Sequence, residues 1–211
     1  MRTTAVHRPP PHPLRSLGDV ARHVDADLDE FRKYSAGFMA PRASLVRKVS
    51  MLLTPPMLCT ILYRLSHWLF CTGWRRSARF LGGVNYVVHK CAISPAASIG
   101  PGLYIPHTVG LVFHGHAGRR LTLYHRAVVC AGSVHAWKDA VYEDCPVLGD
   151  DVTVGVNSVV VGGVTLGDRA YVAGLAIVTE DVAPNTIVVD RNVKTVETKA
   201  GPIAEAQASA R

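Results

Sequence analysis

Residues 148–178 read LGDDVTVGVNSVVVGGVTLGDRAYVAGLAIV, and the spacing of their apolar side chains decides the fold. Leu148, Val154, Val160, Leu166, Val172 and Val178 recur every six residues, and Val152, Ser158, Val164, Ala170 and Ala176 follow four residues after each of the first five. A helix repeats at 3.6 residues and a strand at 2, so neither generates two aligned columns of apolar or small residues six apart. A triangular parallel β-helix does, because each short strand turns one branched side chain inward before the chain rounds a corner. Gly149, Gly155 and Gly167, each directly after a column residue, suit such corners, as does Gly100 upstream.

Working back along the chain, the same period continues one residue out of step. Ile93, Ile99, Ile105, Leu111, Ala117, Leu123 and Val129 form one series, with Ala97, Leu103, Val109, Gly115, Leu121 and Ala127 four residues after each of the first six. From Val129 to Leu148 the spacing is three hexads plus one residue. The repeat supplies the interior of such a solenoid, so chemistry is expected where the repeat is interrupted. The interruptions are residues 105–117 and 135–146.

The remainder of the 211 residues reads as a helical prelude and two tails. Residues 1–16 carry Pro9, Pro10, Pro11 and Pro13 among Arg and His and are expected to form a flexible basic arm. Residues 17–90 are expected to be a helical domain. Val20, Val24, Leu28 and Phe31 recur at three or four and predict a helix over 17–34; residues 45–53 predict another that ends before Pro55 and Pro56. The run MLCTILYRLSHWLFCTGW, residues 57–74, is apolar but broken by Arg64 and His67, and is short for a membrane span. Burial of Trp68, Leu69 and Trp74 in a core or subunit interface is the better reading, with interfacial membrane contact the alternative. Arg75, Arg76 and Arg79 read as a solvated face. The β-helix itself is expected over 91–185, followed by a C-terminal segment and tail over 186–211.

A formal charge of +7 implies anionic partners such as a phosphorylated co-substrate, while the lack of Lys/Arg clusters interleaved with aromatics argues against nucleic acid. The five cysteines form no CxxC pair and no signal peptide is apparent, so free thiols and a cytoplasmic location are expected.

The segments LYRLSHWLF, ISPAASIGPGLYIPHTVGLV, CPVLGDDVTVGVNSVVVGGVTLGD and EDVAPNTIVVDRNVKTV together resemble the serine O-acetyltransferase branch of the hexapeptide-repeat acyltransferases, over roughly residues 17–196. The resemblance implies an α+β, mainly β fold: N-terminal helices, then a left-handed parallel β-helix. It further implies a homo-trimer or a dimer of trimers with sites between neighbouring β-helices, and acetyl-CoA or another acyl-CoA as donor, with no metal.

His107 falls at the family's catalytic histidine, and a histidine is a suitable general base for a hydroxyl acceptor at neutral pH. Three positions depart from the family pattern. Ala92 stands where an aspartate orients that histidine, Pro106 where an aspartate holds the serine amino group, and Cys145 where a second active-site histidine sits. Asp139, Glu143 or Asp144 in the long loop, or a backbone carbonyl, are candidates to substitute for the orienting carboxylate. Cys145, Pro106, Ala92, Asp144 and His114 are thus the candidate substrate-side residues, with His116 nearby. On the donor side Lys194 matches a basic residue that meets the CoA phosphates. Backbone groups near Gly155, Gly162, Gly163 and Gly174 are candidates for the pantetheine arm, although each glycine also suits a corner.

The resulting expectation is a CoA-dependent O-acyltransferase acting on serine or a serine-like or derived hydroxyl compound. Two other readings stay open. One is a catalytically impaired scaffold or binding protein, favoured by Ala92; the other is a metal-dependent hydratase on the same fold, built on His107, His114 and His116.

Overall fold

Hexad spacing becomes three parallel sheets wound around one apolar interior. The structure, a computed structural model, describes residues 12–35, 45–132, 145–189 and the two-residue strand at 196–197. The first sheet stacks β1 (Ala92–Ile93), β3 (Val112–Phe113), β6 (Val128–Cys130), β9 (Val159–Val161) and β12 (Ile177–Val178). The second stacks β2 (Ser98–Ile99), β4 (His116–Ala117), β7 (Val147–Leu148) and β10 (Thr165–Leu166). The third stacks β5 (Thr122–Leu123), β8 (Thr153–Val154), β11 (Tyr171–Val172) and β13 (Thr186–Val188), with β14 (Val196–Glu197) antiparallel at its edge. All other pairings are parallel, and the inward residue of one coil lies on the inward residue of the next: Phe113 on Val129, Ala117 on Leu148, Leu123 on Val154. These columns are essentially excluded from solvent and make one continuous cluster.

The later register is as the sequence predicts, from Leu148 to Val178, with its companion series also buried. The earlier one is corrected at its centre. Ile93 stacks on Phe113, not on Leu111. Tyr104 pairs with Thr122, eighteen residues on, but Val112 pairs with Val128, sixteen on, so the corner between Tyr104 and Val112 is two residues longer than its successor. The next corner, Phe113 to His116, is two residues shorter than Ile93 to Ser98 below it. An insertion and a deletion of equal length cancel, which is why the sixfold count runs through a place where the geometry does not. Val109, read as a column residue, is consequently turned out to solvent.

The corner glycines are required by proximity and not by backbone angle. A Cβ on Gly100 would lie 2.6 Å from the Gly118 carbonyl oxygen, and one on Gly155 equally close to that of Val172. The stacked coils leave no room for a side chain.

Four helices precede the coils: α1 (Leu17–Ser35), α2 (Leu45–Leu52), α3 (Pro55–Cys71) and α4 (Arg75–His89). The last was not read as a helix from the sequence. Pro55 and Pro56 open α3 and do not merely end α2, because a proline in the first turn forfeits no helical hydrogen bond. Helix α3 lies against the first coils. Cys59 and Tyr63 join the β-helix core, and the Tyr63 hydroxyl donates to the Ala97 carbonyl at 2.9 Å.

Arg64, which interrupts the apolar run in sequence, is fully buried. It donates two bonds to the Asp27 carboxylate, both at 2.9 Å, and one each to the carbonyls of Ile99 and Gly100. Asp27 in turn accepts from the backbone N–H groups of Gly102 and Leu103. Burial opposes the guanidinium charge, but the Asp27 carboxylate more than offsets it and the net shift is upward.

Residues 12–16, assigned to the arm by composition, pack on the body. Leu14 is inaccessible to solvent and the His12 N–H donates to the Ser98 hydroxyl. Residues 1–11 lie outside the described residues. Trp68 and Leu69 are half-buried, while Trp74 is exposed along with Phe80, Tyr86, Val87 and Val88. Arg75, Arg76 and Arg79 face solvent as expected. The five cysteines are free thiols.

Candidate active site

The lengthened corner carries Pro106, His107, Thr108, Val109 and Gly110. Its ends are tied down by the Gly110 N–H donating to the Lys90 carbonyl at 2.8 Å and by the Arg126 N–H donating to that of Val109. Thr108 is buried, and the two extra residues carry His107 out into solvent. From the helical side, Phe31 and Tyr34 pack on the ring of Tyr104, just before the corner. Ala92 occupies the strand that receives the returning chain, its N–H bonded to the Leu111 carbonyl; since Ile93 points inward, the Ala92 methyl faces outward.

His107 does not stand alone. The ring of His125 meets it edge to face, with centroids 5.6 Å apart and planes at 76°. Sequence reasoning passed over His125, although it follows His107 by eighteen residues, one three-hexad coil, and that spacing was the available signal.

His114 and His116 lie at the shortened corner that follows, one strand away. The His114 N–H donates to the Val129 carbonyl and the His116 N–H to that of Pro146, the residue after Cys145, so both histidines and Cys145 lie on one edge of the triangle. A Cβ on Gly115 would lie 2.6 Å from the Pro146 oxygen, so this approach depends on the glycine. Burial lowers the pKa of His114, favouring its neutral form. Cys145 is half-buried.

The glycines divide between the same two edges of the triangle. Gly155 and Gly174 follow β8 and β11, on the edge that carries His107. Gly162 and Gly163 follow β9, on the edge that carries His114 and Cys145, with the Gly162 N–H bonded to the Cys130 carbonyl. Gly155 is needed by packing alone, whereas Gly162 has open space beside it and a φ of +94°. Asp139, Glu143, Asp144 and Lys194 lie outside the described residues. Among the described residues no three His, Cys, Asp or Glu side chains are grouped to hold a metal ion, and no helix is long and apolar enough to cross a membrane.

A triangular parallel β-helix with a histidine projecting from an enlarged corner sets the class of fold, and comparison with known proteins narrows it. No family model matches the chain. A serine acetyltransferase of Helicobacter pylori is 30% identical over 148 residues, which is 69% of this chain and 84% of that protein. A putative serine acetyltransferase of Schizosaccharomyces pombe is 35% identical over 128 residues, and one of Mycobacterium tuberculosis is 30% identical over 129. The chain spans 46% and 54% of the lengths of these two. Among solved structures, the serine acetyltransferase of Neisseria gonorrhoeae superposes with a TM-score of 0.75 at 24% identity, covering 89% of this chain and 70% of that one. That of Brucella abortus in complex with coenzyme A gives 0.74 at 18%, over 87% and 70%. The common fold is a left-handed parallel β-helix behind N-terminal helices. The chain belongs to the serine acetyltransferase family.

Proposed function

We propose that this chain is a CoA-dependent O-acyltransferase that moves an acetyl group from acetyl-CoA to the hydroxyl of serine or a serine-like small molecule. The observation that carries this reading is the exposed His107 on the enlarged corner of a chain in this family. As the acceptor oxygen attacks the thioester carbonyl, His107 takes the hydroxyl proton. The tetrahedral intermediate then collapses with cleavage of the C–S bond, and the imidazolium returns the proton to the departing CoA thiolate. Neither proton nor charge is left over.

The donor is assigned to Lys194 for the CoA phosphates and to the edges bearing Gly155, Gly174, Gly162 and Gly163 for the pantetheine arm. The formal charge of +7 favours such a polyanion. Cys145, Pro106, Ala92, His114 and Asp144 are assigned to the acceptor side. Because His107 and Cys145 sit on different edges of one β-helix, a complete site requires the Cys145 edge of a neighbouring subunit, which supports a homo-trimer or a dimer of trimers. A cytoplasmic location and the division 1–16, 17–90, 91–185 and 186–211 complete the reading, although residues 12–16 pack on the body.

Pro106 and Cys145 remove polar groups from the places where the family resemblance puts recognition of serine. Losing a charged hydrogen bond to an ammonium group costs about 1.5–3 kcal/mol, so free L-serine is expected to be about one to two orders of magnitude poorer than an acceptor whose amine is acylated or absent. The experiment is release of free CoA thiol from acetyl-CoA across a panel of hydroxyl compounds with and without a free amine, comparing kcat/KM. L-serine winning at ordinary efficiency makes the substitutions neutral; no acceptor-dependent release at all favours the scaffold reading instead.

A further inference from the structure

The reaction assigned to His107 needs its imidazole held in one orientation and one tautomer, a task that a buried carboxylate performs where a histidine base has one. This chain offers no such carboxylate nearby in sequence. No Asp or Glu occurs between Glu30 and Asp139, so the coils that carry Ala92, His107 and His125 contain none. Among the described residues the one ring contact of His107 is the edge-to-face one with His125 at 5.6 Å. The reverse also holds. His125 Nδ1 is buried and has no hydrogen-bond partner among the described residues, and its one ring contact there is with His107. An aliphatic side chain would fill the same place without stranding a polar atom, but it would present no ring to that of His107.

We propose that His125 is the positioning residue of His107, fixing the ring of the general base by edge-to-face contact where the family resemblance would put a carboxylate at position 92. Aromatic rings attract in this geometry because the positive edge of one meets the negative face of the other, and the contact restricts rotation of both. The stacking of coils makes the arrangement reproducible. The His125 carbonyl accepts from the Asn157 N–H of the next coil, and the flanking Arg126 N–H is bonded to Val109 in the His107 corner itself. Backbone hydrogen bonds on both sides thus hold the turn that presents the second imidazole. This inference rests on the assignment of His107 as the base, but it can fail independently of it.

The test compares His107→Ala, His125→Ala and His125→Phe in the full chain, using the acceptor with the highest kcat/KM, together with 15N spectra of the histidine rings. His125→Ala is expected to lower kcat by about tenfold or more with KM for acetyl-CoA unchanged, and to shift and broaden the His107 ring signals as that ring gains rotational freedom. His125→Phe, which keeps a ring edge, is expected to restore most of both. An unaltered His107 spectrum in His125→Ala overturns the positioning role, whatever happens to kcat. Wild-type turnover in His125→Ala beside an inactive His107→Ala overturns it too, and directs attention to Asp139, Glu143 and Asp144 in the long loop. Wild-type turnover in His107→Ala instead removes the general-base assignment, and the ring spectra then decide the contact alone.

Discussion

At the scale of single residues, the proposed chemistry is concentrated in one exposed imidazole. Replacing His107 by alanine is expected to lower kcat by a factor of at least about a hundred, while circular dichroism and CoA affinity stay near wild type, because the residue is exposed and contributes to the transition state more than to binding. Steady-state kinetics with calorimetric CoA titration checks this; near wild-type turnover would shift the base to His114 or His116. His107 was singled out in the sequence because it lies in an interruption of the repeat and at the position of the family's catalytic histidine, and the structure adds its exposure. Its separation from His114 and Cys145 was legible only in part, since seven residues on a β-helix means another edge but does not say which. His125 was overlooked because it sits in an undisturbed hexad, where nothing local marks it. What singles it out is the residue one coil below, and that neighbourhood appears only once the coil is closed.

Elements show the same contrast between local and distant information. The hexad columns are local and survive intact from Leu148 to Val178, whereas the paired insertion and deletion around Leu111 leave the count unchanged and so leave no trace in it. Helix α3 looked like an apolar stretch spoiled by Arg64. In the structure that arginine is the joint between helices and solenoid, completed by Asp27, 37 positions away, which no periodicity could have matched to it. Asp27→Asn is expected to destabilise the protein by about 3–5 kcal/mol, because it strands a buried guanidinium and weakens the acceptor for Gly102 and Leu103. Combining Asp27→Leu with Arg64→Met should cost less than the sum of the two single changes, since it removes both charges together. Urea unfolding of the four proteins measures this. Additive losses would mean that the two side chains act separately and that the joint is held by apolar packing of Tyr63 and Cys59.

For the whole molecule, the arrangement of exposed apolar residues bears on assembly. Val109 and Leu175 are 60% and 72% exposed, and both lie on the edge that carries His107; Tyr86, Val87 and Val88 are exposed at the end of α4, where the chain enters the first coil. Isolated apolar side chains on a surface need no explanation, but two on the one edge that carries the proposed base are a candidate contact. A second copy set against that edge would cover them. It would also bring an edge bearing His114, His116 and Cys145 to face His107, which a single chain cannot do because the two corners are separated by the strand Val112–Phe113. The contact is between unlike surfaces, so it closes only as a ring, and the threefold cross-section of the β-helix fits a ring of three. Sedimentation at micromolar concentration is expected to give a species of three chains or a multiple of three. Leu175→Arg should lower the assembly state and activity together while the β-rich circular dichroism signal persists. A well-folded single chain that retained full acceptor-dependent CoA release would show that one β-helix holds the entire site, and the assignment of Cys145 to the same site as His107 would fall with it.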